Sequence, residues 1–534
     1  MPSQPPARIC FLNIAAVFLF LTNICASRTG LAAGVTIVTH GYSGNVTGWV
    51  SGMANKIPDY PTFPGTNFTT YTLTFTSSGG SYFYQWTRTN GAPLTTDSGE
   101  IIVKLDWSAL AGGFFSTTST FDVANAISKV LLLTNAISDL GGHALLEYPI
   151  HMIGHSRGGS LISEISRLLG TNGVWVDHLT TLDPHPLNND GFSDIPSGVD
   201  APVRTYQNVL FHDNYWQNMG GSFTVPNGEP VFGAYQRQLT NLSGGYSSSH
   251  SDAHLWYHGT IDWATPTSDT EASLTSAERT NWWTAYENHG TNAGFLYSLI
   301  GGSNRLSDAQ PVGPGFPMIR DGYNQWWDLG AGVVSNRVTL TSNNGGWPNL
   351  IKFNRTTTNP VVQGQSLSVK YYYQWAQPTN SSATVDFYSD DDFNPFNSNQ
   401  KLLAHIVVPG TTKTNVFSQT LALTLDATNV APGVHALFAK ITAGGRSRYL
   451  YAPELVQVTV VSQPPVLDIA RLNATQYQIG VNGLSGQIIA LQNSTNLQNW
   501  LPLATNTLTN NRWIYTNTPP VNSSLQFYRA VLSQ

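Results

Sequence analysis

From about residue 34 to about residue 305, short apolar runs alternate with stretches of helical period. Val35-Thr-Ile-Val-Thr-His40 predicts a strand, bounded by Gly34 and Gly41, and Ile101-Ile-Val-Lys-Leu-Asp106 predicts a second. Between Phe121 and Leu140 the apolar positions Val123, Ile127, Val130, Leu133, Ile137 and Leu140 recur at helical spacing, and Gly141-Gly142 stops the run. Residues 149–154 predict a third strand, 158–169 a helix, 177–183 a fourth strand and 203–211 a fifth. Strands that alternate with helices predict an α/β domain with a mostly parallel sheet covered on both faces.

The pattern changes near residue 330. From Arg337 the runs take period two, as in Ser366-Leu-Ser-Val-Lys-Tyr-Tyr-Tyr373 and Ala383-Thr-Val-Asp-Phe-Tyr388, with no long helical stretch. This predicts an immunoglobulin-like β-sandwich over residues 335–462. Gln463-Pro464-Pro465 breaks the chain, and residues 466–534 form a second small all-β module. Its LQNSTNLQNWLPLATNTLTNNRWIYTNT and FYRAV segments resemble a carboxy-terminal β repeat common on large secreted proteins of environmental bacteria. At the other end, Arg8 precedes the apolar run Ile9–Leu21, and small residues follow at Ala26, Ser27, Ala32 and Ala33. That order reads as a secretory signal over residues 1–33 and an extracellular protein; Asn13 and Thr22-Asn23 leave the run short of the ~20 apolar residues a membrane-spanning helix needs. The α/β domain is then expected over 34–330.

Composition narrows the function. Only 10% of the 534 residues are charged, against a usual ~25%, and the formal net charge is −6, so the basic footprint of a nucleic-acid binder is absent. Both cysteines, Cys10 and Cys25, lie in the leader. The remainder has no disulfide, thiolate metal site or cysteine nucleophile.

The chemistry gathers around Gly154-His155-Ser156-Arg157-Gly158, a G-x-S-x-G between a strand and a helix. A serine on such a turn projects its hydroxyl above the sheet, and the glycines relieve backbone crowding. The Arg157 N–H then sits at a helix N-terminus; paired with the Tyr42 N–H, after the strand ending in Thr39-His40-Gly41, it offers an oxyanion site, with His40 as support. A serine nucleophile needs a base and an orienting carboxylate. Asp183, after the fourth strand, and Asp213, after the fifth, are candidate acids; His250, His254 and His258 are candidate bases, with Asp252 expected to cap their helix. Asp183, His185, Asp190 and Asp194 share a loop but lack zinc or EF-hand spacing, and Ser389–Asn397 reads as a solvated acidic turn. No metal and no organic cofactor is expected.

Four segments occur in order: HGYSGNVTGW at 40–49, IIVKLDWSALAGG at 101–113, HMIGHSRGG at 151–159 and TTLDPHP at 180–186. They resemble the pancreatic-lipase-like branch of the α/β-hydrolases, whose strands end in H-G-F, V-D-W and L-D-P around a G-H-S-x-G elbow. The resemblance implies a nucleophile at Ser156, a triad acid at Asp183 ahead of Asp213, and a base at His254 ahead of His250 and His258. It departs at Arg157, where the family usually has Leu, in the missing disulfides, and in residues 50–100, which hold no recognisable lid. The implied reaction is hydrolysis of carboxylic esters of small molecules or lipids through an acyl-enzyme. The rivals are a polyester depolymerase and an inactive hydrolase fold serving in adhesion, with the β modules attaching to a cell surface or polymer. The aromatic stretch 57–90, together with Trp256, Trp263, Trp282 and Trp283, is expected either to wall the site or to bury the helices.

Overall fold

The computed structural model describes residues 34–59, 68–93, 100–112, 118–188, 198–222, 225–231, 233–262, 269–282, 338–340, 346–357, 360–391, 395, 398–411, 417–425, 430–452, 455–459, 464–520 and 525–532. The leader, Asp190, Asp194, Trp263 and Trp283 lie outside the described residues.

The first part of the chain builds one eight-stranded mixed sheet. Its elements in order are β1 (Gly34–Thr39), α1 (Trp49–Lys56), β2 (Phe68–Ser78), β3 (Ser81–Asn90), β4 (Glu100–Asp106), α2 (Thr120–Leu131), β5 (Ile150–His155), α3 (Arg157–Thr171), β6 (Val176–Leu182), β7 (Val209–Gln217), β8 (Tyr235–Leu239) and α4 (Ser249–Ile261). The strand order is β3-β2-β4-β1-β5-β6-β7-β8. Every pairing is parallel except β2–β3, an antiparallel hairpin at the edge.

Strands buried on both faces need cover on both. On one face Ile37, Val103, Met152 and Leu179 pack with Val123 and Ile127 of α2 and with Leu161 and Ile165 of α3. On the other, Val38, Ile102, Ile153 and Phe211 pack with Val50 and Met53 of α1 and with Leu255 and Trp256 of α4.

Three sequence expectations are corrected here. The helix expected to reach Leu140 ends at Leu131, and Leu133 is exposed; Ile137 and Leu140 return to the core through a separate short turn, Ser138–Leu140. The fifth strand runs from Val209 to Gln217 rather than 203–211, because 203–208 is a connection whose bridge, among the described residues, is Tyr206–Val338 alone. The described part of the aromatic stretch 57–90 does not wall the cleft: 68–90 forms the β2–β3 hairpin, which extends the sheet sideways and buries Tyr71 and Phe75.

Residues 349–459 form two further sheets. One holds the strands Asn349–Arg355, Ser366–Gln374 and Phe417–Thr424. The other is built around Ser382–Asp390 and Gly433–Ala443. Alternate residues from both, among them Phe353, Tyr371, Val385 and Ile441, share one core, so the sheets pack face to face. The outer face of the second sheet packs against the first part of the chain: Phe438, Tyr449 and Tyr451 join the cluster that includes Tyr148 and Met152. Arg448, buried, donates to the carbonyl of Trp175 at 2.9 Å and to Asp177 Oδ2 at 2.8 Å, and so crosses from the sandwich to β6. Residues 466–532 form two three-stranded sheets over a small core of Ile479, Val481, Ile489, Leu491 and Leu508.

Candidate active site

Ser156 sits between β5 and α3 with φ 58° and ψ −127°. A non-glycine residue there costs on the order of 1–3 kcal/mol, which the surroundings must offset. The Ser156 N–H donates to the Leu182 carbonyl at 3.0 Å, tying the turn to the end of β6. Close packing explains the flanking glycines: a Cβ on Gly158 would lie 2.5 Å from the His40 carbonyl oxygen. Gly41 is equally constrained, since a Cβ there would stand 2.5 Å from Ser156 Cβ and 2.9 Å from Oγ. The end of β1 therefore reaches the serine only as glycine. Arg157 opens α3, so its N–H is among those with no acceptor inside its own helix. Tyr42 lies on the neighbouring loop, and both Tyr42 and Ser156 border one cleft of about 370 Å³.

The guanidinium of Arg157 ties together several parts of the chain. Arg157 is fully buried. Its Nε and Nη2 donate to the two Asp200 oxygens at 2.6 Å, Nη1 to the Ala111 carbonyl at 2.9 Å and Nη2 to the Thr118 carbonyl at 2.5 Å. The plane lies 5.3 Å from the Trp107 ring, which stacks on His40 at 5.7 Å. One side chain thus fastens two loops to the first turn of α3. His40 is buried: its Nδ1 bonds to the Gly41 carbonyl, and its Nε2 faces Asp106 at 3.7 Å. That partner holds the Asp106 carboxyl down at about 2. His40 thus packs behind the Gly41 turn, between Trp107 and Asp106.

Asp183 follows β6 with φ 44°, another strained position. Its Oδ1 accepts from the Gln217 N–H at 2.7 Å and its Oδ2 from Gln217 Nε2 at 2.9 Å. Its third partner is His250, whose Nδ1 lies 2.5 Å from Oδ2. Burial pushes the carboxyl up, and the Gln217 donors oppose it. Burial, with His185 nearby, pushes the His250 imidazole down. A neutral ring with Nδ1–H on the carboxylate leaves Nε2 as an acceptor.

The imidazole that meets Asp183 belongs to His250, not to His254. The expectation placed His254 at the helix start, but α4 begins at Ser249, with the Ser248 hydroxyl rather than Asp252 accepting the His250 N–H. The first turn, nearest β6, therefore carries His250. His254 falls one turn on, stacked on Trp49 at 4.3 Å. His258 is buried another turn along, away from Asp183. Asp252 instead accepts the Tyr246 N–H. His155, beside the serine, donates from Nε2 to the His250 carbonyl at 2.8 Å and so fixes the start of α4 next to the turn.

Asp213 is not at the cleft. It is buried within the sheet, bonded to His178 Nε2 at 2.8 Å, the Thr180 hydroxyl at 2.6 Å and the Tyr215 hydroxyl at 2.9 Å. Trp256 and Trp282 are core residues. In the acidic turn, Asp390 accepts from Tyr451, and Asp391 pairs with His435. Among the described residues, no group of three His, Asp or Glu side chains is arranged to hold a metal ion. Sequence reasoning missed Gln217, Asp200 and the role of His155. No local pattern marks the first two; His155 lay inside the recognised pentapeptide.

The lining is mainly polar. Five histidines border the cleft, and its apolar contributions come chiefly from Trp49, Leu187 and Pro226. In comparison with known proteins, the chain matches no family model and no curated protein.

Proposed function

We propose that the chain is a secreted serine hydrolase of the α/β-hydrolase kind that cleaves carboxylic esters. The observation that carries this reading is the Asp183–His250 pair in the cleft that Ser156 borders. His250 Nε2 takes the Ser156 proton as Oγ bonds to the ester carbonyl carbon. The Tyr42 and Arg157 N–H groups hold the tetrahedral oxyanion; one such donor typically contributes about 3–4 kcal/mol. Collapse expels the alcohol, which takes the proton from His250. Water, deprotonated by His250, then attacks the acyl-enzyme and releases the carboxylic acid. Asp183 fixes the ring and stabilises the imidazolium between transfers. Residues 1–33 direct export, and 349–459 is an immunoglobulin-like sandwich in this reading.

The polar lining favours short or polar esters over long acyl chains. Hydrolysis of p-nitrophenyl acetate tests the proposal: turnover by the wild type, absent in Ser156→Ala, supports it, and a folded but inert wild type overturns it. Depolymerisation of a polyester is the second reading, favoured by Val466, Leu501 and Ile514, exposed on the C-terminal module, which suit an apolar solid. Release of soluble product from a film, lowered by removing 466–534, is its test.

A further inference from the structure

One wall of the cleft takes no part in the ester chemistry. Trp49, His254 and Glu271 border it. Behind them the Tyr246 hydroxyl lies 2.8 Å from each Asp269 oxygen and 3.2 Å from Glu271 Oε2, so one phenol links two carboxylates. Asp269 also accepts the N–H groups of Glu271 and Ala272 at 3.0 Å, which fixes it. The Glu271 carboxylate rests against Gly48 and leaves no room for a Cβ there.

The charge on this wall is uncompensated. By contrast Asp200 and Asp177, both buried, are paired with the guanidinium groups of Arg157 and Arg448, whereas the Asp269 side chain is buried and Glu271 exposed at the cleft with no such partner. Among the described residues no lysine or arginine borders the cleft or pairs with Asp269 or Glu271. The His254 ring also faces Asp269, its Nδ1 standing 3.7 Å from Oδ2. That nitrogen is buried and has no hydrogen-bond partner. Burial holds the His155, His250 and His254 imidazoles below their ordinary range, so these rings supply no counter-charge. A cleft with fixed negative charge and no counterion attracts a cation and repels an anion.

We propose that Glu271 and Asp269, beside Trp49 and His254, form an ammonium subsite, and that the preferred substrates are esters carrying a cationic amine. The preference for such esters rests on the hydrolase reading; the binding of the cation does not.

Two arms test this on the full chain. The first compares kcat/KM for acetylcholine with that for neohexyl acetate, its uncharged isostere with the same acyl group. The cationic ester is expected to lead by about fivefold, the size of one modest ion-pair interaction. Glu271→Gln is expected to bring the ratio towards one, as is raised salt. A ratio near one in the wild type, or one unchanged in Glu271→Gln, overturns the inference. The second arm titrates choline and neohexyl alcohol by calorimetry and needs no turnover. Tighter choline binding that weakens in Glu271→Gln supports the subsite even if no ester is cleaved, in which case the hydrolase reading alone falls. Equal binding of the two alcohols overturns the subsite and leaves that reading standing.

Discussion

Asp183 Oδ2 and His250 Nδ1 are 2.5 Å apart, joining the loop after β6 to the first turn of α4. Of three histidines spaced four residues apart on one helix, it engages the first. Asp183→Asn is expected to lower kcat/KM on the order of ten-thousand-fold, because an amide leaves the wrong ring tautomer. His250→Ala is expected to lose at least as much. Asp213→Asn is expected to lower stability, since its partners lie inside the sheet, and to leave turnover per folded molecule near wild type. Steady-state kinetics beside a urea melt separate the two effects.

The Arg157 guanidinium and the Asp200 carboxylate are both buried, so removing one strands the other. Arg157→Met is expected to cost about 3–5 kcal/mol of stability. Adding Asp200→Asn is expected to recover part of it by neutralising the stranded charge. Urea unfolding of the single and double variants checks this; equal stability of wild type and Arg157→Met would refute it.

Arg448 carries the same logic across the two folded parts. Its contacts to Asp177 and Trp175 are buried, so Arg448→Met is expected to destabilise the whole 34–459 unit by about 3–5 kcal/mol. A chain cut after residue 340 is expected to unfold more readily than the full chain, because Tyr148 and its neighbours lose the cover of Phe438, Tyr449 and Tyr451. Hydrogen exchange of β5 and β6 amides in the two chains measures it.

Burial lowers the imidazoles of His155, His254 and His258, the last to about 4. Unfolded, they titrate near about 6.5. The unfolded chain therefore binds more protons as pH falls below that value. This stability is whole above about pH 6.5 and is lost as pH falls towards 4. Asp183 and Asp252, raised to about 7 by burial, and Asp213, raised to about 6, work the other way, and the lowered His151 and His250 rings offset two of these. The urea midpoint is expected to fall between about pH 6.5 and 4. Because the His250 ring is lowered too, the acid limb of kcat/KM is expected below about pH 6.5. A limb above 7 would refute this.

Much of the first sheet was legible because its strands are continuous apolar runs between glycines, as at Val35–Thr39 and Ile150–Ile153. β7 was misplaced because Phe211-His-Asp-Asn reads as a polar stop. In the fold those groups are buried and satisfied across the strands: Asp213 by Thr180, and Asn214 and His212 by Thr181. The Ser156 turn was legible because chain-local crowding demands its glycines. The histidine that meets Asp183 was not. His250, His254 and His258 share one helix face, and only the cap at Ser248 fixes which of them meets β6. The Asp200 partner of Arg157 and the Gln217 donors to Asp183 are long-range pairings without a local sign.

Treatment of the full chain with a fluorophosphonate probe, with the adduct mapped by mass spectrometry, tests the central claim most directly. The expected result is a single adduct on Ser156, absent in Ser156→Ala, slowed by orders of magnitude in His250→Gln and retained in His254→Gln. A folded wild type that takes no label, or labelling that survives His250→Gln and vanishes in His254→Gln, would contradict it.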